Sequence, residues 1–387
     1  MIQTFMQILQ NNYYRNSVML YVGIIASSTL FAYLSQRKLE NVDLRRTSNQ
    51  IIMKTIQKVF FVLSFLILWF FSAFSSCGAD KTSYKIIFQN VSFQTIFDGW
   101  QEPGFNLFNL VFRVFGDNPR IIYVAMTTVT LLLVYSTLDM LKDEINVAFS
   151  VLAYGTLFYV QSLSLMRIYL ASAILFWGIR FLKKNEYFKY GIVIAVAISI
   201  HYSCCIMLFP WIILYMMYHH RYKQVVHIVV IICMMGAGIV VLKGLAPIMG
   251  SVPMFARFQQ YFQNMQSGGF GVMQFVYFMP IILLVLCVFP KLNDNYKRIF
   301  FTFTSSAFFV GVMSYVITIL GRAFVLFSIL YLFIVPYGLK YLKEEINRWK
   351  YYFVCVATIV YYVFRFMIYI SEYYKLDQII PYTNVLF

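Results

Sequence analysis

The chain has 387 residues, of which 61% are apolar, 20% aromatic and 12% charged. A soluble globular domain usually carries about a quarter charged residues, and several apolar runs here approach the roughly 20 residues that cross a bilayer. This composition excludes a water-soluble enzyme, a coiled coil and a disordered chain. The runs are continuously apolar, which argues against the alternating strands of a transmembrane barrel.

The net charge of +16 comes from 31 Lys and Arg residues against 15 Asp and Glu residues. In a membrane protein such an excess mostly marks the cytoplasmic ends of helices, so it predicts topology rather than a nucleic-acid partner. With the amino terminus outside, most basic residues fall in the predicted cytoplasmic segments. The six cysteines show no CxxC spacing, and we interpret them as packing residues rather than as metal ligands or disulfides.

Apolar runs bounded by polar segments predict an all-α, polytopic membrane protein with about twelve transmembrane helices in a single integral domain over 1–387. Two outer loops, 76–119 and 243–270, are unusually long, and long loops often carry function. The first contains EPGFNLFNLVFRVFG, whose spacing predicts a short amphipathic helix on the membrane face. The predicted spans are 17–35, 58–75, 120–138, 147–163, 168–182, 189–201, 203–218, 226–242, 271–289, 299–320, 323–339 and 351–370.

The apolar stretch between Lys189 and His219 is either one long helix or a hairpin of two short ones. A single crossing would place the basic segments HHRYK and KYLKEEINRWK outside, against the positive-inside bias. Charge therefore predicts a hairpin that turns at 201–203.

Three ionisable residues interrupt the apolar runs, where such residues are costly and mark candidate functional sites. Arg167 opens the span IYLASAILFWGIRFL, His201 ends IVIAVAIS, and Arg322 lies within TILGRAFVLFSIL. In the predicted topology all three lie at the outer face. Each also has a structural explanation: the arginines as interfacial anchors, the histidine as an interhelical hydrogen-bonding group, and Asp80 and Glu102 in the loop as helix caps.

Several arginines, a histidine and two loop carboxylates at one face suit a phosphate-bearing substrate. The planar guanidinium of arginine binds phosphate oxygens bidentately and stays charged. A pyrophosphate-linked lipid fits especially well, because its tail can lie between helices while its diphosphate meets the arginines. A phospholipid transporter would need the same groups, and this alternative stays open.

These residues lie in segments that resemble one family. LMRIYLASAILFWGIRFLKKNEYFKYGIVIAVAISIHYSCCIMLFPWIIL resembles the Arg-led helix, basic connector and helix ending in His-x-Ser of the EpsG-like branch of Wzy-type polysaccharide polymerases. Gly78, Asp80 and Tyr84 resemble its Gly-x-Asp…Tyr element, and EPGF at 102–105 resembles its Glu-Pro-Gly-Phe element. GRAFVLFSILYLFIVPYGL and IIPYTN resemble later elements. The family usually has Arg-Gln where this chain has Arg167-Ile168.

The resemblance implies a GT-C-like, metal-independent glycosyltransferase without a cofactor. Such polymerases join undecaprenyl-diphosphate-linked oligosaccharides into O-antigen, capsular or exopolysaccharide chains at the outer face of the bacterial cytoplasmic membrane. Its expected partners are this lipid-linked substrate and membrane lipid, with a chain-length regulator and a flippase as further candidates. The alternatives are a lipid-linked glycan flippase, an O-antigen ligase and a polyprenyl-phosphate-dependent glycosyltransferase.

On this basis we expect the diphosphate to be held by Arg167 and Arg322, with Arg257 contributing from the second long loop. His201, Asp80 and Glu102 are the candidate catalytic residues, and the sequence does not rank them as bases. Tyr84 is a candidate glycan-binding residue. The long loops would form a roof over the glycan.

Overall fold

A computed structural model describes residues 2–37, 47–97, 101–220, 272–314 and 319–385. Within these ranges the chain is helical and forms no β-strand, apart from one antiparallel bridge between Ser75 and Asn384. The predicted all-α class is therefore confirmed for the described residues. The predicted span 226–242, the loop 243–270 and Arg257 lie outside them.

The described helices follow the apolar runs closely, and we number them in chain order. They are α1 Ile2–Gln10, α2 Asn12–Gln36, α3 Thr47–Ala73, α4 Lys81–Asn90, α5 Pro103–Arg113, α6 Arg120–Leu141, α7 Val147–Tyr154, α8 Val160–Ser162, α9 Met166–Trp177, α10 Ile179–Lys183, α11 Tyr187–Ile200, α12 Leu208–His220, α13 Val272–Val288, α14 Asp294–Met313, α15 Ile319–Ser328, α16 Tyr331–Glu345 and α17 Arg348–Tyr373. A π-helical turn at Gly155–Tyr159 and a 3₁₀ helix at Tyr202–Met207 complete this set.

Five of the described segments are long and apolar enough to cross a membrane, so the protein is a multi-pass membrane protein. Leu320–Ser328 and Tyr331–Glu345 pass the same test together and would add a sixth span. The predicted number of twelve and the GT-C-like architecture stay predictions. The five segments are Asn12–Gln36, Gln50–Ala73, Arg120–Leu141, Tyr202–His219 and Arg348–Tyr373.

The chain divides into two compact units, and the single domain predicted over 1–387 stays a prediction. The first unit comprises 1–90, 112–166 and 331–387. In it, α2 packs against α3 and α7, and α3 packs against α6. Hydroxyl groups link three of these helices: Ser28 Oγ donates to the Ser64 carbonyl at 2.9 Å, and Ser64 Oγ lies 2.8 Å from Tyr135 Oη. Such bonds satisfy polar groups that lipid would leave unpaired.

The second unit comprises 91–111 and 167–330. Its α11 and α12 pack against each other, and Trp211 Nε1 donates to the Tyr187 carbonyl at 2.8 Å. Residues 24 positions apart on one straight helix would lie about 36 Å apart, so this bond requires the chain to reverse between them. The predicted hairpin at 201–203 is confirmed. In the same unit α14 packs against α12, α13 and α15.

The loop predicted over 76–119 contains two short helices. The short helix expected in EPGFNLFNLVFRVFG is confirmed as α5, which buries Phe105, Asn106 and Asn109 and exposes Leu107 and Val111. Its place on the membrane face stays a prediction. Asn106 Nδ2 donates to the carbonyls of residues 95 and 96, which ties α5 to the segment before it. The loop therefore has a defined structure in this region.

Candidate active site

A buried carboxylate joins two of the predicted site residues in the second unit. Glu102 Oε2 accepts a hydrogen bond from Arg167 Nη1 at 2.7 Å, and Glu102 Oε1 lies 3.1 Å from His201 Nδ1. The backbone N–H of Tyr202 also donates to Oε1, at 3.3 Å. The Glu102 side chain is only 1% exposed, whereas those of Arg167 and His201 are 20% and 18% exposed. The carboxylate thus lies behind the two groups that reach solvent.

The Glu-Pro-Gly-Phe element at 102–105 explains how this carboxylate is placed. Glu102 precedes α5, and its carbonyl accepts the Asn106 N–H at 3.0 Å. Pro103 occupies the first helical position, where its missing N–H costs nothing. Phe105 is fully buried, and the Arg167 guanidinium carbon lies 5.2 Å from its ring centroid. Glu102 therefore has the position of a helix cap, but its side chain is directed to Arg167 and His201.

Gly104 allows the start of α5 to lie directly on the end of α11. A Cβ at this position would come within 2.2 Å of Ser199 Oγ and 2.8 Å of the Ser199 carbonyl oxygen. A side-chain hydroxyl can rotate away, but a helix carbonyl cannot. Any larger residue would therefore separate α5 from α11, and with them Glu102 from His201.

We predict that Gly104→Ala lowers the free energy of unfolding by about 1–3 kcal/mol, because overpacking forces the backbone to move. It should also lower activity, because the Glu102–His201 bond lengthens. Gly23→Ala is the matched control, since a Cβ at Gly23 meets nothing within 4 Å. Thermal unfolding of the two purified proteins tests the prediction, and equal melting temperatures would contradict it.

The turn between α11 and the 3₁₀ helix positions His201. Its N–H donates to the Ala197 carbonyl at 2.9 Å and so closes α11, and its backbone is extended with φ −153° and ψ 114°. The Cys204 N–H then donates to the His201 carbonyl at 2.9 Å and begins the next turn. Because the chain reverses here, the imidazole lies at the end of the hairpin facing α5.

Electrostatics favours an ionised Glu102 beside a neutral His201. Burial alone would raise the pKa of Glu102, but the hydrogen bond with His201 and the charge of Arg167 outweigh it and lower that pKa to about 2. For His201 burial is the largest effect and lowers the pKa. The bond to Glu102 opposes this shift, and the charges of Arg167 and Arg322 add to it.

This protonation state fixes the roles of the two imidazole nitrogens. An ionised carboxylate is only an acceptor, so the Nδ1–H of neutral His201 donates to Glu102. Nε2 then carries the lone pair and can accept a proton. A base held by an acidic partner in this way is a common catalytic arrangement.

Arg167 also contacts an amide group. Its Nη1 donates to Gln101 Oε1 at 3.2 Å in addition to Glu102. Gln101, which directly precedes Glu102, brings this amide to the guanidinium from the loop before α5. Part of the positive charge of Arg167 is therefore already compensated within the protein.

Arg322 lies on α15, which packs against the 3₁₀ helix that follows His201. Its side chain is exposed and makes no hydrogen bond or ion pair with the described residues. Its charge adds to the lowering of the His201 pKa. Arg322 thus contributes a positive charge that has no partner within the described ranges, on a helix that packs against the turn after His201.

Two further predicted residues, Asp80 and Tyr84, lie in the first unit. Tyr84 Oη donates to Asp80 Oδ2 at 3.4 Å, and the Tyr84 N–H donates to the Asp80 carbonyl at 3.1 Å. Tyr84 is 3% exposed, so its ring offers a glycan little surface in this conformation. The base role of Asp80 and the glycan contact of Tyr84 stay predictions, and Arg257 lies outside the described residues.

Gln101 and Phe105 belong to this site but were not among the residues selected from the sequence. Gln101 directly precedes Glu102, Phe105 ends the Glu-Pro-Gly-Phe element, and both contact Arg167. The signal available was the compact Glu-Pro-Gly-Phe element itself. Within the described ranges, no group of three or more His, Cys, Asp or Glu side chains is arranged to hold a metal ion.

The fold and the site together define a multi-pass helical membrane protein with a Glu–His pair bound to an arginine in one helical unit. The chain matches the EpsG family over residues 58–384 and belongs to this family of Wzy-type polymerase-like proteins. The family is associated with glycosyltransferase-like polymerase activity. No curated protein and no solved structure matches the chain.

Proposed function

We propose that the protein polymerises oligosaccharide repeat units linked to undecaprenyl diphosphate, at the outer face of the bacterial cytoplasmic membrane. Family membership supports a polymerase-like enzyme. The observation that carries the proposal is the Glu102–His201 pair bound to Arg167, with the charge of Arg322 acting on His201 from the neighbouring helix α15. This arrangement offers a neutral base and a positive charge to the same substrate.

In the proposed reaction a hydroxyl oxygen of the acceptor unit attacks the anomeric carbon of the donor glycan. The new C–O bond forms as the bond from that carbon to the diphosphate breaks, and the electron pair leaves with the diphosphate. His201 Nε2 accepts the hydroxyl proton. Arg322, together with the exposed part of Arg167, stabilises the negative charge that the leaving diphosphate gains.

Glu102 is better suited to positioning His201 than to acting as the base. Both of its oxygens are already engaged, and a carboxylate with a pKa of about 2 is a weak base. It holds the imidazole in the orientation that leaves Nε2 available. Among the candidates from the sequence, the geometry therefore favours His201 as the catalytic base.

The reaction as proposed requires no cofactor, because a diphosphate is already a good leaving group. O-antigen, capsule and exopolysaccharide are the product classes that such a polymerase serves. A flippase would supply the lipid-linked units at the outer face, and a chain-length regulator would act on the product. The GT-C-like mechanism and metal independence belong to this same proposal.

Incubation of the purified protein with undecaprenyl-diphosphate-linked repeat units in liposomes tests the function. We expect a gel ladder whose steps differ by one repeat unit, and no ladder with heat-inactivated protein. Movement of the lipid across the bilayer without a ladder would indicate a flippase. Transfer of a preformed chain to a different acceptor, again without a ladder, would indicate a ligase, and either outcome would refute the polymerase.

A further inference from the structure

A second group of cations lies in the first unit, where the first residues of α4 and α6 meet the loop that follows α3. Lys81 Nζ and Arg120 Nη1 both donate to the Ser75 carbonyl, each at 2.6 Å. Arg120 Nη2 also donates to Ser76 Oγ at 3.2 Å. Two positive side chains therefore converge on one neutral oxygen.

One aromatic ring fixes both cations. Lys81 Nζ lies 5.4 Å and the Arg120 guanidinium carbon 5.5 Å from the centroid of the Tyr123 ring. The Tyr123 hydroxyl donates to the Lys81 carbonyl at 2.7 Å. Cation–π contacts of this kind hold the charged groups in place but do not neutralise them.

No carboxylate in the described part of the chain compensates these charges. Among the described residues neither Lys81 nor Arg120 takes part in an ion pair, and the adjacent Asp80 accepts a hydrogen bond from Tyr84. Lys81 is only 5% exposed, and burial, with a smaller contribution from Arg120, lowers its pKa to about 8. Most of it is still protonated at pH 7, so two like charges remain close together, which costs free energy unless an anion joins them.

The loop that carries Ser75 and Ser76, and that leads into Lys81, is firmly anchored. Gly78 has φ +124°, and a Cβ there would come within 2.3 Å of the Leu163 carbonyl oxygen. The N–H groups of Gly78 and Ala79 donate to carbonyls of residues 378 and 377, and Ala79 N–H lies 3.1 Å from Ser164 Oγ as well. The donors are thus preorganised. Ser76 is exposed and Arg120 half-buried, so their donors are accessible, whereas the buried Lys81 contributes mainly its charge.

The position of the loop points to a ligand at the membrane surface. Candidate spans end at Ala73 and begin at Arg120, and one continuous loop connects them, so both ends lie at the same face. Lipid phosphates occupy that depth of a bilayer. Guanidinium, ammonium and hydroxyl groups are the donors that proteins use for phosphate oxygens.

We propose that Lys81, Arg120 and Ser76 form a phosphate-binding site for a membrane lipid, distinct from the Glu102–His201 site. The shared chemistry is a phosphate group at the bilayer surface, carried either by undecaprenyl diphosphate or by an anionic phospholipid. Assignment of this site to a substrate diphosphate rests on the proposed function. Polymerisation joins two diphosphate-linked units, so it requires more than one place to bind a diphosphate.

Native mass spectrometry of the protein in neutral detergent, with added undecaprenyl diphosphate, tests the site. We expect two bound lipids for the wild type and one for Arg120→Gln. Any second lipid that still binds to the variant should do so with at least tenfold lower affinity. Lys85→Gln is the matched control, because it removes an exposed cation from α4, the helix that begins with Lys81, and it should bind two lipids. Undecaprenol, which lacks phosphate, should not bind at this site.

Repeating the titration with phosphatidylglycerol identifies the source of the phosphate. If Arg120→Gln weakens the binding of undecaprenyl diphosphate alone, the site is a substrate site. If it weakens the binding of both lipids equally, the site accepts phosphate-bearing lipids generally. Wild-type stoichiometry and affinity for both lipids in a normally folded Arg120→Gln protein would overturn the proposal. A Lys81→Met protein could fail to fold, because Lys81 is buried. Arg120 is only half-buried, so Arg120→Gln tests the site without this complication.

The same preparations separate this inference from the proposed function. Arg322→Ala should lose the other bound diphosphate. Loss of one lipid in Arg120→Gln but none in Arg322→Ala would support the second site while contradicting the role given to Arg322. Lipid binding by a wild-type protein that forms no ladder would support the site and refute the polymerase.

Discussion

We expect the His201→Ala protein to elongate lipid-linked repeat units about 100-fold more slowly than the wild type. A positioned general base typically contributes about 10²–10⁴-fold to a rate, and alanine removes the nitrogen that accepts the proton. The rate of ladder formation at saturating substrate is the measurement, because loss of a base lowers kcat more than it raises KM.

Two variants separate chemistry from folding in this experiment. His201→Asn keeps an N–H that can donate to Glu102 but has no base, so it should be as slow as His201→Ala and more stable. His219→Ala removes an exposed histidine at the other end of the hairpin and should leave the rate unchanged. Wild-type turnover by a well-folded His201→Asn protein would return His201 to a structural role.

The pH profile follows from the same pKa shifts. His201 has a folded-state pKa below 6.5, so wild-type activity should persist below pH 6.5 and fall only at more acid pH. Below pH 6.5 the unfolded state binds a proton that the folded state does not, so His201 lowers stability there. Glu102 contributes stability that is complete above about pH 4.5 and is lost as the pH falls towards 2.

Arg322→Gln removes a charge that lowers the pKa of His201. The acid limb of the pH–activity profile of this variant should therefore lie at higher pH than that of the wild type.

The second large effect is expected for Arg322→Ala, which should abolish long glycan chains while the protein inserts and melts like the wild type. Charge-assisted hydrogen bonds are worth about 1.5–3 kcal/mol, which corresponds to a loss of about 10–150-fold in kcat/KM. Arg322 is exposed and has no partner among the described residues, so its removal leaves no unpaired group.

Lys184→Ala is the matched control for this variant, because it removes another exposed cation from the second unit. Arg322→Lys should recover part of the activity, since an ammonium keeps the charge but loses the planar fork. Chains of normal length from a well-expressed Arg322→Ala protein would disprove the diphosphate contact.

The sequence predicted a diphosphate contact for Arg167 as much as for Arg322. An Arg167 variant, however, does not separate loss of phosphate binding from loss of folding. Its removal leaves the Glu102 carboxylate, which is 1% exposed, without its cation. Breaking a buried ion pair in this way costs about 3–5 kcal/mol, so loss of activity would report unfolding as readily as loss of phosphate binding. Only the structure distinguishes these two arginines.

The spans were predictable because the thickness of the bilayer imposes a local rule on composition. Five predicted spans, 17–35, 58–75, 120–138, 203–218 and 351–370, coincide with described helices long and apolar enough to cross a membrane, and the other spans stay predictions. Charge bias also predicted the hairpin that the Trp211–Tyr187 bond confirms. In both cases the governing free energy, the cost of polar groups in lipid, acts on neighbouring residues along the chain.

The sequence by itself determined the helical membrane fold and the family. Because polar groups are costly in lipid, it also identified Arg167, His201 and Arg322 as candidate site residues. Tertiary structure alone decided that Glu102 joins Arg167 to His201 across 65 and 99 residues of chain, and that Lys81 and Arg120 share one carbonyl. Solvation by lipid or water selects which residue types a segment can contain. Which of these side chains contact one another depends on which helix ends pack together. Close contacts such as that of Gly104 with Ser199 decide this packing, and no local sequence pattern encodes them.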